Sequence, residues 1–159
     1  MAIRKILTEQ DRALRLKSRP VTQITPHILE LLDDLTETMR RADGCGLAAP
    51  QVGVLRCVVV VETEPGEVYE LINPEITNRQ GTQRVLEGCL SIPGKQGFTV
   101  RPEQVTVRAL ARDGKTYEYT AHGLLAQAFC HEIDHLDGIL FVDKMLPGTL
   151  HYVDPNEEK

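Results

Sequence analysis

The sequence predicts an α+β fold in which antiparallel β-sheets pack around a central helix carrying an HExxH motif. Three observations predict it. Apolar residues recur at helical spacing in two segments, one in the first third of the chain and one in the last. Between them lie short runs rich in β-branched residues and bounded by turn formers. These runs cluster apart from the helical segments instead of alternating with them, which favours antiparallel sheets over βαβ units.

The first helix spans about residues 25–42. Thr25 suits the cap, Pro26 the first helical position, and Gly44 lies just past the end. Ile28, Leu31, Leu32, Leu35 and Met39 form one apolar stripe, which reads as core packing. Strands are expected over residues 56–62, 68–72, 105–110 and 115–121, and Asp113-Gly114 reads as the hairpin turn between the last two. The second helix runs over about residues 123–136 and stops before Gly138. Leu125, Ala128, Phe129, Ile133 and Leu136 give it an apolar stripe.

No repeat, low-complexity tract or linker divides the 159 residues, so residues 1–159 are expected to form a single catalytic domain. Hydrophobic residues make up 42% and charged residues 26%, enough for an ordinary core and too apolar for a disordered chain. The net charge is −5 with both signs interspersed, which argues against the basic face of a nucleic-acid binder. The longest apolar run is Cys57 to Val61, too short to span a bilayer, and no apolar stretch follows the N-terminus as in a secretory signal. A cytoplasmic location is the expectation. Cys45, Cys57, Cys89 and Cys130 make no CxxC pair, and free or metal-bound thiols are expected rather than disulfides.

The most informative segment is His131-Glu132-Ile133-Asp134-His135, inside the second helix. Histidines four residues apart lie about 40° apart around a helix, so both imidazoles can reach one ion. Glu132 lies about 60° from His135, on the side where a carboxylate can take a proton from water activated by the ion. A catalytic metal site wants a third protein ligand and an open position. In HExxH metallopeptidases that ligand lies downstream, yet the position for a third histidine holds Phe141, and the downstream carboxylates lie close to or within a polar tail. Cys89, in Glu87-Gly88-Cys89-Leu90-Ser91, is an upstream candidate that would complete a borderline-soft set suited to Zn²⁺ or Fe²⁺. By spacing alone it is no better placed than the other cysteines.

Three stretches together carry a resemblance. Gly44-Cys45-Gly46-Leu47-Ala48-Ala49-Pro50-Gln51, then Glu87-Gly88-Cys89-Leu90-Ser91, then His131-Glu132-Ile133-Asp134-His135-Leu136-Asp137-Gly138 resemble, in order, the three signature motifs of the peptide deformylases. The likeness covers about residues 40–146. It implies hydrolysis of the formyl group from formyl-methionyl nascent polypeptides, with Cys89, His131 and His135 binding the metal and Glu132 acting as general base and then acid. It further implies that Gln51, through its side-chain amide, and Leu90, through its backbone N–H, stabilise the oxyanion, and that Gly46 contacts the substrate. The usual ion of the family is Fe²⁺, with Ni²⁺ or Co²⁺ as active substitutes and Zn²⁺ poorer. Glu87 and Arg101 match positions that can form a supporting ion pair. Cys45, Val85, Leu124 and Ala128 lie at or beside positions that can line a pocket for the methionine side chain.

Two departures from the family pattern stand out. Many members have Gln before the first metal-binding histidine, where this chain has Cys130, a second thiol beside the site. One residue on a helix turns a side chain by about 100°, so Cys130 is not expected to replace His131. Some members also carry a basic C-terminal helix that docks on the ribosome. The ending Glu157-Glu158-Lys159 does not read as one, so any transient ribosome contact is expected to use another surface. The competing readings are a small metallopeptidase, which needs a downstream ligand, and a structural zinc protein, which needs Cys130 or Cys45 as a fourth ligand.

Overall fold

A computed structural model describes residues 2–153; the acidic ending at Glu157 and Glu158 lies outside the described residues. Helix α1 spans Pro26–Arg41. Thr25 caps it by accepting a hydrogen bond from the Ile28 N–H, and Pro26 opens it as expected. Its end differs in detail from the expectation. The left-handed residue is Asp43 (φ 56), not Gly44. The Gly44 N–H donates to the Met39 carbonyl and the Asp43 N–H to the Arg40 carbonyl, which closes the last turn. Gly44 is needed for another reason: a Cβ there would sit 2.6 Å from Leu90 Cδ1.

The chain continues through β1 (Gly46–Ala48), a single 3₁₀ turn (Ala49–Val52), β2 (Val58–Val61), β3 (Tyr69–Gln80), β4 (Gln83–Cys89), β5 (Ile92–Arg101), β6 (Gln104–Leu110) and β7 (Thr116–His122). Helix α2 (Gly123–Leu136), the short α3 (Phe141–Lys144) and β8 (His151–Tyr152) complete it. One sheet has the order β1-β2-β3-β6-β7 and the other β4-β5-β8, with all paired strands antiparallel. This is the expected α+β arrangement. The β6–β7 turn forms as read, with Gly114 at φ 79 and its N–H donating to the Ala111 carbonyl.

The four valines of β2 are all buried, because both faces of the first sheet are covered. Val58 and Val60 pack with the α1 stripe, and Val59 and Val61 pack with Phe129, Ala126 and Leu136 of α2. Each stripe residue buried against the sheet contributes about 1.5–3 kcal/mol of apolar transfer. Helix α2 is therefore clamped by the core on one side, leaving its other side for β4 and β5.

Strands β4 and β5 were not expected, and β3 was expected to stop at Ile72. At Asn73-Pro74 the ladder breaks and resumes at Glu75, so a local stop signal is in fact an irregularity within a longer strand. In β4 and β5 the inward positions include Glu87, Thr99 and Arg101, each at most 3% exposed, and Gly88, Pro93, Gly94 and Gly97 interrupt the rest. A strand whose buried face is polar shows no apolar alternation. Among the described residues no helix is long and apolar enough to cross a membrane.

Candidate metal centre

Helix α2 presents His131, Glu132 and His135 on the side turned away from the sheet core, all at most 9% exposed. Opposite them, side-chain alternation along β4 sends Glu87 and Cys89 inward together. The β4–β5 register shifts between these two residues, and Cys89 ends the strand beside the histidines. Its Sγ lies 3.4 Å from His135 Nε2. One donor atom each from Cys89, His131 and His135 falls within 4.8 Å of the others, and among the described residues no fourth His, Cys, Asp or Glu joins the group.

The surrounding bonds orient the cluster. His131 Nδ1 lies 2.7 Å from Glu87 Oε1, and the same carboxylate accepts from Arg101 Nε and Nη2 at 2.6 and 2.8 Å and from the Thr99 hydroxyl. Arg101 also donates through Nη1 to Asp134 Oδ2 at 2.7 Å, returning the network to α2. The expected Glu87–Arg101 ion pair is thus formed and buried. Burial opposes charge on Glu87, but the bonds from His131 and Arg101 outweigh it and hold its carboxyl at about 2. A carboxylate acceptor keeps a proton on Nδ1, so Nε2 is the His131 nitrogen whose lone pair can face an ion.

The donor set fits a divalent ion. Burial and the neighbouring charges of His131 and Arg101 hold His135 well below the usual imidazole range, in the neutral form that ligates. Burial alone would do the same to His131, yet the carboxylates of Glu132 and Glu87 and the bond to Cys89 raise it well above that range. Burial likewise pushes Glu132 up. Its Oε1 is buried without a hydrogen-bond partner, an arrangement that leaves it free to engage a bound water or substrate.

The remaining sequence candidates converge on the same place. Gln51, on the 3₁₀ turn, is 1% exposed, and its Nε2 lies 3.7 Å from Cys89 Sγ. Leu90 follows Cys89 directly, and with Gly46 and Glu132 both line one cleft of about 430 Å³. A Cβ on Gly46 would lie 2.8 Å from Glu132 Cγ and Cδ, so only glycine admits that carboxylate. Cys45, Leu124 and Ala128 line the cleft, whereas Val85 is not part of its lining among the described residues. Cys130 packs into the sheet core, 4% exposed, and does not face the histidines' cleft. Asp143, one of the downstream carboxylates, is held by Arg15 and caps Leu140. Sequence reading missed Thr99 and Asp134 as supports, although Asp134 stands inside the HExxH motif itself.

The sequence profile of the family described as polypeptide deformylase matches residues 3–149. A peptide deformylase of Alkaliphilus metalliredigens (strain QYMF) is 56% identical over 146 residues, 92% of this chain and 99% of that one. The crystal structure of a peptide deformylase from Legionella pneumophila superposes with a TM-score of 0.89 at 45% identity, covering 92% of this chain and 88% of the other. That of a peptide deformylase from Synechococcus elongatus in complex with actinonin gives 0.87 at 38% identity, covering 91% and 79%.

Proposed function

The chain belongs to the peptide deformylase family and hydrolyses the N-terminal formyl group of formyl-methionyl polypeptides, releasing formate, and on that premise we propose how its residues divide the work. It is a metal-dependent hydrolase. Cys89, His131 and His135 would hold one divalent ion, which when bound lowers the pKa of water and polarises a carbonyl. A thiol with two imidazoles suits several borderline ions. We read Fe²⁺ as the native one, on the strength of the family resemblance, with Ni²⁺, Co²⁺ or Zn²⁺ as substitutes.

Glu132 accepts the proton of the attacking water as its oxygen bonds to the formyl carbon. It then delivers that proton to the amide nitrogen as the C–N bond breaks, so formate and a free amine leave. Gln51 Nε2 and the Leu90 N–H donate to the carbonyl oxygen as it gains negative charge, an interaction strongest in the transition state. Gly46 keeps the wall low enough for substrate backbone to approach Glu132. We take residues 1–159 as one catalytic unit that works in the cytoplasm and meets the ribosome transiently.

The observation that carries this reading is the cluster of Cys89, His131 and His135 donor atoms within 4.8 Å beside an unpartnered Glu132 oxygen. Protein purified without oxygen should contain iron at one ion per chain by elemental analysis. It should also release formate from formyl-Met-Ala-Ser. No release from protein fully loaded with Fe²⁺ or Ni²⁺ would contradict the reading.

A further inference from the structure

The amide of Gln51 is held in one sense. Its Oε1 accepts from the Ala48 N–H at 2.9 Å, so a flipped amide would set two donors against each other. Its Nε2 donates to Ser91 Oγ at 3.0 Å. One amide hydrogen is thereby occupied, and the other is directed into the cleft side of the site, at Cys89 Sγ 3.7 Å from Nε2. Ser91 is fully buried, so water cannot take over as the acceptor if its hydroxyl is lost. The backbones of both residues are clipped by the N-terminal segment. The Leu7 N–H donates to the Gln51 carbonyl at 2.7 Å and the Glu9 N–H to the Ser91 carbonyl at 2.9 Å. Lys95 in turn holds Glu9 at 2.8 Å.

Donors stabilise an oxyanion only when fixed where its charge develops. We propose that Ser91 is a positioning residue that aims the Gln51 amide at the reacting carbonyl oxygen, with residues 7–9 pinning the two backbones at the required separation. Ser91 acts through Gln51 and does not touch the substrate, so the proposal rests on the role assigned to Gln51 above.

A double-mutant cycle on Ni²⁺-loaded protein tests it. Gln51→Ala is expected to lower kcat by about 10²-fold, the loss of one oxyanion donor. Ser91→Ala leaves the donor present but misaimed, and should lower kcat by about tenfold with KM within about twofold of wild type. Ser91→Thr, which keeps the hydroxyl, should recover most of that loss. Added to Gln51→Ala, the Ser91→Ala change should alter kcat by less than about twofold. The absorption spectrum of Co²⁺-loaded protein reads the thiolate–metal set independently of turnover and should stay as in wild type. Glu9→Pro, which removes the N–H facing the Ser91 carbonyl, supplies a second cycle that does not depend on Ser91→Ala folding. A Ser91→Ala loss that persists undiminished in the Gln51→Ala background, or an altered Co²⁺ spectrum, would overturn the proposal. Wild-type kcat in Gln51→Ala would instead remove the Gln51 assignment itself, and this proposal with it.

Discussion

Glu87 Oε1 and His131 Nδ1 lie 2.7 Å apart, and this one bond couples a strand of the second sheet to the metal-site helix. Arg101 grips the same carboxylate and reaches the partly exposed Asp134 one turn along α2, so four residues form a closed circuit with Glu87, Arg101 and His131 buried. Removing one partner from such a circuit leaves a buried charge uncompensated, at a cost of about 3–5 kcal/mol. Glu87→Ala should lose stability on that scale in urea unfolding and bind its ion about 10–100-fold more weakly in chelator competition. Wild-type stability together with wild-type metal affinity would show that the circuit is ornamental.

Gly46 makes a steric prediction. In Gly46→Ala the new methyl meets the Glu132 side chain and must displace it. A displaced proton carrier is expected to cost about 10²-fold in kcat/KM. Metal content should be unchanged, since the three atoms nearest the added carbon all belong to Glu132. Loss of metal in this variant would show that the added methyl disturbs the ligands as well as Glu132.

Metal removal should loosen the joint between α2 and the second sheet, because Cys89 stands on β4 and both histidines on α2. A ligand at about 100 times its Kd stabilises by about 2.7 kcal/mol. For a chain of this size that corresponds to about 5–10 °C in Tm. Chelation should therefore lower the melting temperature of wild type by that order and leave Cys89→Ala nearly unchanged.

The N-terminal segment is fastened to α1 by Asp34, whose carboxylate accepts from the Ala2 N–H at 2.6 Å and from Arg4 Nε at 2.8 Å. Burial opposes this charge, but those bonds and the Arg4 charge outweigh it and hold the carboxyl below its ordinary value of 3.8. A depressed carboxylate stabilises the fold fully above its unfolded pKa and loses that contribution as pH falls through the folded one. The stability gap between wild type and Asp34→Asn should stay constant from about pH 7 to 5 and shrink below about pH 4. A gap that widens on acidification would reverse the sign of this contribution.

Both helices were legible because Leu31, Leu35 and Met39, and Leu125, Phe129 and Leu136, face apolar surroundings and so repeat at helical period. The grouping of His131, Glu132 and His135 was legible for a related reason: spacing on one helix alone brings the three side chains together. Cys89 became a ligand candidate of better standing than the other cysteines only through the family resemblance, since its proximity to His135 arises from pairing between distant segments. Strands β4 and β5 escaped notice because Glu87, Thr99 and Arg101 occupy the inward positions where alternation expects apolar side chains. Asp134 and Ser91 escaped for the same physical reason. Each is an ordinary polar residue until folding supplies its partner, Arg101 in one case and Gln51 in the other.

In the proposed mechanism Glu132 moves the proton at a site held by Cys89, His131 and His135. The most direct test is formate release from formyl-Met-Ala-Ser by Ni²⁺-loaded Glu132→Gln, with nickel stoichiometry measured on the same sample. Full metal occupancy with kcat reduced by about 10²–10⁴-fold is the predicted result. Full occupancy with wild-type kcat would contradict it and assign the proton transfer to another group.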